Sequence, residues 1–459
     1  MMTRGSIAAL VGLLVHHIAC RIFAWPLLTD RAGEWIMART PSAWALAILD
    51  VLGVWAKPFA ATGGLAMIGG MLFVAVLIGR LHRHSWLIVC AAAVAAGEWS
   101  DLSFWLPAMV IVAAKIPAVA VVERRRFLRS ALMSAGSVAV AGESLLRERR
   151  MRELAAPATN LYRFTPPKDR DAFGAGFVRA ATTTTDAFYA MSKNTVDPAP
   201  DPNTWRLRIT VDGVPVATWS YADLLSLPRE DRWVTLRCIS NTLTSNLIGT
   251  AHWTGVRLKQ LIAPGAIPAG VKELAVIGVD GHGDSLPLDY AWSDGVLFAL
   301  GMNGKTLDRT HGFPVRMLCP RYYGLKNVKW IGELRFVTKP YVGTWPKLGY
   351  TKEPRPHISS AIDKVRIEDG RVRAGGVAYA GDRGIQRVQV RVDGGDWFEA
   401  QIEPPLSAYS WTRWVAEIPA QAARTIEARA QDGGGAWQST VEGPLFPDGV
   451  KGPTVKRLT

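Results

Sequence analysis

A single thiol stands where a run of apolar and β-branched residues ends, in Thr235-Leu-Arg-Cys-Ile-Ser-Asn241. Arg237 beside it favours the thiolate, because a neighbouring cation and polar donors lower a thiol's pKa. Four readings of Cys238 follow from its surroundings alone. It can be a buried structural residue, a disulfide partner of Cys319, a nucleophile, or a ligand for a soft or high-valent metal. The nucleophile reading lacks a histidine in a recognised arrangement. A second set of donors is packed into His311-Gly-Phe-Pro-Val-Arg316, Pro320, Tyr323-Gly324 and Lys326-Asn327-Val328-Lys329-Trp330. Arginine and lysine bind phosphate by charge and fork geometry. Glycine lets backbone amides approach an anion closely. Proline, glycine and aromatic residues interleave with the charges, which suits a shaped pocket better than a solvated helix face.

Taken together and in order, these motifs resemble the molybdopterin domain of the sulfite oxidase family. The resemblance runs over residues 203–337 through Trp205-Arg-Leu, Cys238-Ile-Ser-Asn241, Trp253-Thr-Gly-Val, Asp280-Gly, Ser285-Leu-Pro287, Met302-Asn-Gly304, His311-Gly-Phe-Pro-Val-Arg316 and Lys329-Trp330. It implies a molybdenum–molybdopterin cofactor, with Cys238 as the protein's sulfur ligand to the metal. Asn241 belongs to the same motif. His311, Arg316 and Asn327-Val328-Lys329 would hold the pterin and its phosphate. Asp280 would contact the cofactor near the metal, and Phe188-Tyr189 would cover the pterin. The implied chemistry is two-electron oxygen-atom transfer on a small molecule, with electrons leaving to a partner.

The chain departs from the family's sulfite-oxidising members at the substrate. Those members place arginines around the anion, where this chain has Ala190, Met191 and Ser192, and Leu243. His282 stands where the family has a pocket tyrosine, and Arg321 replaces a frequent glycine. A buried dianion without paired cations is costly. The expected substrate is therefore not sulfite, with Arg237 or Arg321 as the compensating cation and His282 as a proton relay. Two rival readings are a sulfoxide-type reductase and a non-enzymatic exported binding protein that keeps a vestigial cofactor fold.

The elements that must position these residues follow from periodicity. Trp205–Val211 alternates, Asp212-Gly213 turns, and a second strand follows. Residues 221–227 suit a short helix. Val234–Arg237 is a strand that delivers Cys238 at its end. Residues 254–263 have helical spacing. Leu274–Val279 is a strand that ends on Asp280-Gly281. This is a mixed α+β pattern over 203–345, after a linker and surface-hugging lead-in at 151–202. After a Pro- and Gly-rich break, residues 354–446 show short alternating strands and an Asp393-Gly-Gly-Asp396 hairpin signal. They predict a β-sandwich, and the resemblance implies an immunoglobulin-like domain that often mediates dimers.

The chain has 459 residues, a net charge of +14 and 49% hydrophobic residues. The basic excess does not indicate nucleic-acid binding, because it flanks apolar segments: Arg80 and Arg83, then Arg124–Arg126 and Arg129, then Arg147, Arg149 and Arg150. That placement is what membrane topology requires. Residues 1–150 are expected to form a transmembrane helix bundle of about five spans, since a span needs about 20 mainly apolar residues. They fall at 6–24, 60–79, 85–98 with its extension, 104–122 and 130–146, with an interfacial helix at 42–56. Glu123-Arg-Arg-Arg-Phe-Leu-Arg129 before the last span resembles a twin-arginine signal, so 123–146 is read as an internal export segment. The basic flanks then place everything after residue 146 on the outer face of a bacterial inner membrane. His16 and His17, inside the first span, are haem-ligand candidates or packing residues. No CxxC, CxxCH, P-loop, GxSxG or HExxH occurs. With no CxxCH and no segment that matches a haem-binding cytochrome domain, the chain is expected to use an external cytochrome or a membrane redox partner.

Overall fold

A computed structural model describes residues 173, 176–194, 197–242, 246–420 and 422–458. The expected spans, the twin-arginine segment, His16 and His17 lie outside the described residues. Among the described residues no helix is long and apolar enough to cross a membrane.

The first layers comprise β1 (Arg206–Val211), β2 (Val214–Ser220), α1 (Tyr221–Ser226), β3 (Glu230–Arg237), β4 (Ile248–Val256), α2 (Leu258–Leu261), β5 (Glu273–Gly278), β6 (Gly283–Pro287), α3 (Leu288–Trp292), β7 (Leu297–Met302), β8 (Lys305–Thr306), β9 (Arg316–Leu318) and β10 (Ile331–Val337). They make two sheets. One runs β2-β1-β10-β5-β6, and the other runs β3-β4-β7-β8 with β9 also on β7. The pair β1–β10 is parallel, which long-range return of the chain makes possible. The β1–β2 hairpin closes on Asp212 (φ 46°) and Gly213 (φ 90°), the two positive angles a tight Asp-Gly turn needs. Helix α1 opens on a reciprocal cap: Asp223 N donates to Ser220 Oγ at 3.1 Å, and Ser220 N donates to Asp223 Oδ2 at 2.8 Å.

The helical spacing of 254–263 is realised only at Leu258–Leu261. Thr254, Gly255 and Val256 extend β4 instead, paired with Gly301, Ala299 and Phe298 of β7. Pairing to a neighbouring strand outweighs the local period here. Gly255 permits it, since a Cβ there would meet the Phe298 carbonyl at 2.3 Å.

The remaining strands are β11 (Ser359–Glu368), β12 (Arg371–Tyr379), β13 (Ile385–Val392), β14 (Phe398–Glu399), β15 (Gln401–Ile402), β16 (Thr412–Pro419), β17 (Thr425–Asp432) and β18 (Thr454–Arg457). They form two four-stranded sheets, β11-β12-β16-β15 and β14-β13-β17-β18. Val372, Val388, Val390, Trp414, Ile418 and Ile426 make the core between them. The sandwich runs on past residue 446, because β18 pairs with β17 through Ile426 and Lys456.

The two halves share one compact unit rather than sitting apart. Strand β3 lies at the edge of its sheet, and the sandwich covers that edge. Thr235 N donates to Tyr409 O at 3.0 Å, Trp411 N to Thr235 Oγ1 at 2.8 Å, Ser407 Oγ to Trp233 O at 2.6 Å and Tyr379 Oη to Thr235 O at 2.9 Å. An exposed strand edge is an aggregation hazard, so the cover also protects it. The lead-in first lies on the sandwich, where Phe177 and Val178 pack with Val415. It then crosses to the first layers, where Thr183 N donates to Thr250 O at 2.6 Å.

Candidate cofactor site

Cys238 follows β3 directly, at a turn closed by Asn241 N donating to Cys238 O at 3.0 Å. It is a free cysteine, 8% exposed, and Cys319 is likewise free and fully buried. The disulfide reading is thereby excluded. Burial pushes the Cys238 thiol up from its ordinary value, against the Ser240 amide and hydroxyl, the Arg237 charge and the Ile239 amide. Those last groups all favour the thiolate. They are the surroundings a metal-bound sulfur needs.

His311 and Arg316 reach the site from the loop into β9. His311 N donates to Asp308 Oδ1 at 2.7 Å, and its Nε2 lies 3.1 Å from Thr185 O. Burial lowers the His311 pKa, with Asp308 acting the other way. Arg316 is 6% exposed and lies 5.1 Å over the Trp253 ring. Its Nη1 donates to His311 O at 3.0 Å, while its Nε is buried with no partner. No carboxylate among the described residues pairs with it, and burial brings its pKa down to about 10. A buried guanidinium held without a counter-ion is costly unless an anion completes it.

Glycine 312 is where this loop meets the Lys329 segment. Its φ is +111°, and a Cβ there would lie 3.0 Å from both Arg316 Cβ and Lys329 Cβ. Trp330 N donates to Gly312 O at 3.3 Å, and Trp330 O accepts from Val279 N at 2.8 Å. The β5–β6 turn therefore packs against the same segment. In that turn Asp280 Oδ1 accepts from His282 N at 3.1 Å. His282 Nε2 lies 3.4 Å from Leu325 O, and its ring meets Trp345 edge-on at 6.4 Å.

The lead-in closes the arrangement. Phe188 is buried edge-on to Trp253 and to His311, and Tyr189 stacks on it at 5.5 Å. The Tyr189 phenol is pushed well above its ordinary pKa, by burial first and then by Cys238. Arg316 and Arg237 act on it in the opposite sense. Tyr189 thus lies within electrostatic reach of both the cysteine and the guanidinium of Arg316. A Cβ on Gly324 would come within 2.6 Å of the Tyr189 hydroxyl and 3.3 Å of the Arg237 carbonyl, so a larger residue here would displace the phenol.

The structure gathers Cys238, Tyr189, Phe188, His311 and Arg316 about one site, with Asp280, His282 and Lys329 on adjoining loops. Three other candidates serve as framework. The Arg237 guanidinium, expected as a substrate cation, donates to His357 O and Ser359 Oγ at 3.0 Å and to Asn241 O at 3.3 Å. Asn327 holds its own loop, accepting from Cys319 N at 2.8 Å and donating to Tyr323 O at 3.1 Å. Val328 is buried, and its carbonyl accepts from Met317 N at 2.8 Å. Arg321 is also committed, to Asp382 at 3.0 Å and over Tyr290 at 4.0 Å. Leu243 lies outside the described residues.

Two features escape sequence reasoning. Lys326 and Asp284 form an ion pair at 2.7 Å, each side chain 1% exposed, and the ammonium also donates to Ser285 O. The partners are 42 residues apart, and no spacing rule joins them. Asn303 ties the lead-in down, donating to Thr183 O at 3.0 Å and Thr185 Oγ1 at 3.2 Å. The Asn303-Gly304 pair in the sequence was the available signal, and Asn303 takes the positive φ of 48° that such a turn needs.

A thiol with stabilising donors and a buried guanidinium lacking an anion fit a group that joins a soft metal site to a phosphate. A family model described as oxidoreductase molybdopterin binding domain matches residues 194–345. The chain is 30% identical over 301 residues to mitochondrial sulfite oxidase of Macaca fascicularis, covering 54% of this chain and 55% of that one. It is 30% identical over 135 residues to the uncharacterized oxidoreductase YuiH of Bacillus subtilis, covering 28% of this chain and 64% of that one. Among solved structures, the sulfane dehydrogenase SoxCD from Paracoccus pantotrophus aligns at 23% identity with a TM-score of 0.48, over 54% of this chain and 72% of that one. The chain spans about half the length of the mitochondrial relative it matches. Residues 194–345 are thus a molybdopterin-binding oxidoreductase domain, and the chain is similar over this part to the sulfite oxidases.

Proposed function

We propose that this protein is a membrane-anchored oxidoreductase that holds molybdenum–molybdopterin and acts on a substrate other than sulfite. When bound, the cofactor supplies two-electron oxygen-atom transfer. The chain's own part is binding and orientation. Cys238 would present its sulfur to the metal, and Arg316 would meet an anionic group of the cofactor. His311 and Phe188 would fix the pterin's place, and Tyr189 would line the space between. The observation that carries this reading is the buried Arg316, held over Trp253 beside Phe188 with its Nε unpartnered and no carboxylate pairing it among the described residues.

The argument against sulfite is electrostatic. The two cations that compensate in the sequence, Arg237 and Arg321, are both committed to other partners. A dianion would then be desolvated without a counter-charge. A neutral substrate such as a sulfoxide, reduced rather than oxidised, suits that pocket better, with His282 in reach of the loop for proton movement. The basic flanks of the apolar N-terminal segments support a bacterial inner-membrane anchor with the catalytic domain outside. They make an external cytochrome or a membrane redox carrier the natural electron partner. The sandwich, read as immunoglobulin-like, is the candidate surface for a homodimer.

Metal and pterin analysis of the purified full-length chain tests the core of this reading. The wild type should carry close to one molybdenum per chain, and Cys238→Ser should lose it while keeping its thermal midpoint. A folded wild type free of molybdenum and pterin would overturn the enzyme reading in favour of a binding protein. Dye-linked assays with sulfite and with sulfoxides, run in both directions, separate the two substrate classes. Efficient sulfite oxidation would sink the claim about substrate alone.

A further inference from the structure

The strand that carries Cys238 is held from outside its own sheet, and the last of the holding contacts is Arg237. Its side chain is 1% exposed. Nη1 donates to His357 O and to Ser359 Oγ, and Nη2 donates to Asn241 O. The guanidinium lies 5.5 Å over the Tyr323 ring. No carboxylate among the described residues pairs with it, and its Nε is buried without a partner. Asn241 O belongs to the turn that begins at Cys238. His357 and Ser359 belong to the entry of the first sandwich strand, β11. One planar fork thus grips the turn with one arm and the sandwich with the other.

We infer that Arg237 is a positioning residue, whose fork ties the 238–241 turn to the sandwich and so fixes where Cys238 presents its sulfur. The inference rests on the reading of Cys238 as the metal's sulfur ligand. The geometry calls for a fork rather than a charge. Three acceptors on two separate elements lie at 3.0 to 3.3 Å. A lysine ammonium is a point charge on a flexible stem and cannot hold that spread. All three acceptors are neutral, so the retained charge has no ion-pair role to explain it. It stands beside the thiol, where it favours the thiolate. Within the turn, Asn241 N donates to Cys238 O, and the fork adds a bond to the Asn241 carbonyl from outside it.

Arg237→Lys and Arg237→Met in the full-length chain test this, with Ser359→Ala as a milder variant that leaves the charge and two of the three bonds. Amide exchange across residues 238–242 is measured in metal-free protein. Molybdenum per chain and the sulfur-to-metal charge-transfer absorption are measured in loaded protein. Both arginine variants should exchange faster at Asn241 by about tenfold, the scale of one lost charged hydrogen bond. Both should shift the absorption band and lose most of their metal on gel filtration, and Ser359→Ala should fall between them and the wild type. Wild-type behaviour of Arg237→Lys would reduce the residue to a charge and overturn the inference, as would wild-type exchange in Ser359→Ala and Arg237→Met. If Arg237→Met is insoluble, the lysine and serine variants decide. A wild type without molybdenum would defeat the ligand reading of Cys238, while the exchange arm still decides whether the fork holds the turn.

Discussion

Arg316 shows what burial does to a single residue. Most of its donors face no anion, its pKa is pulled down to about 10 by burial, and one ring carries it. A protein gains nothing in stability from such a group while its anion is absent. Arg316→Met should therefore leave the metal-free protein at least as stable as wild type, because a well-packed apolar side chain replaces an uncompensated charge. The same variant should retain little pterin after gel filtration. Calorimetry of the metal-free form together with pterin fluorescence checks both halves. A large loss of thermal midpoint would mean that Arg316 is structural. Arg237 and Arg321 teach the complementary lesson. Their charges were visible in the sequence, and their partners, His357 at a separation of 120 residues and Asp382 at 61, were not. The chemical class of each residue was legible, but its availability was not.

At the scale of elements, the parallel β1–β10 pair depends on one carboxylate. Glu333 is buried, accepts from Thr210 Oγ1 at 2.8 Å and from Arg335 Nε at 2.8 Å, and pairs with Arg208 at 3.4 Å. Burial alone would raise its pKa. The bonds from Arg335 and Thr210 outweigh burial, and the net shift is downward. A carboxyl group depressed in the folded state binds its proton more readily in the unfolded chain. Its contribution is complete above the ordinary glutamate pKa of about 4.3 and is lost as pH falls through the folded-state value. Glu333→Gln should thus be less stable at neutral pH and lose stability less steeply below about pH 4.3. Urea midpoints across that range decide it, and an unchanged acid slope would show that Glu333 is not the group responsible. Strands β1 and β2 were legible because alternation and an Asp-Gly turn are local signals, and the short helix after them was expected at 221–227. The extension of β4 through Val256 was not, since β7, which pairs with it, lies over 40 residues on.

At the scale of the molecule, the sandwich is part of what holds the cysteine strand. It covers the free edge of β3 and receives Arg237 and Arg321. A chain ended at residue 345 should therefore lose more than a domain. Two arginines would lose partners: buried Arg237 its hydrogen bonds to His357 O and Ser359 Oγ, and part-exposed Arg321 its ion pair with Asp382. The shortened chain is expected to aggregate through β3 or to fail to retain molybdenum. Size-exclusion chromatography with metal analysis reads this directly. A monomeric, metal-loaded shortened chain would show that the sandwich is dispensable to the site.

Sequence by itself determined the resemblance to the sulfite oxidases, the cysteine at a strand end, the His311–Trp330 cluster and the succession of mixed layers followed by a sandwich. Those are properties of short motifs and local periods, and each is complete within a few residues. Tertiary structure alone decided which cations are free to meet a ligand. It turned Arg237, Arg321 and Asn327 into framework, left Arg316 facing the site without a carboxylate, and paired Lys326 with Asp284. The physical reason is that a side chain's charge is written in its own residue. Its hydrogen-bond partners and its burial are supplied by segments far along the chain, and only folding brings them within 3 Å.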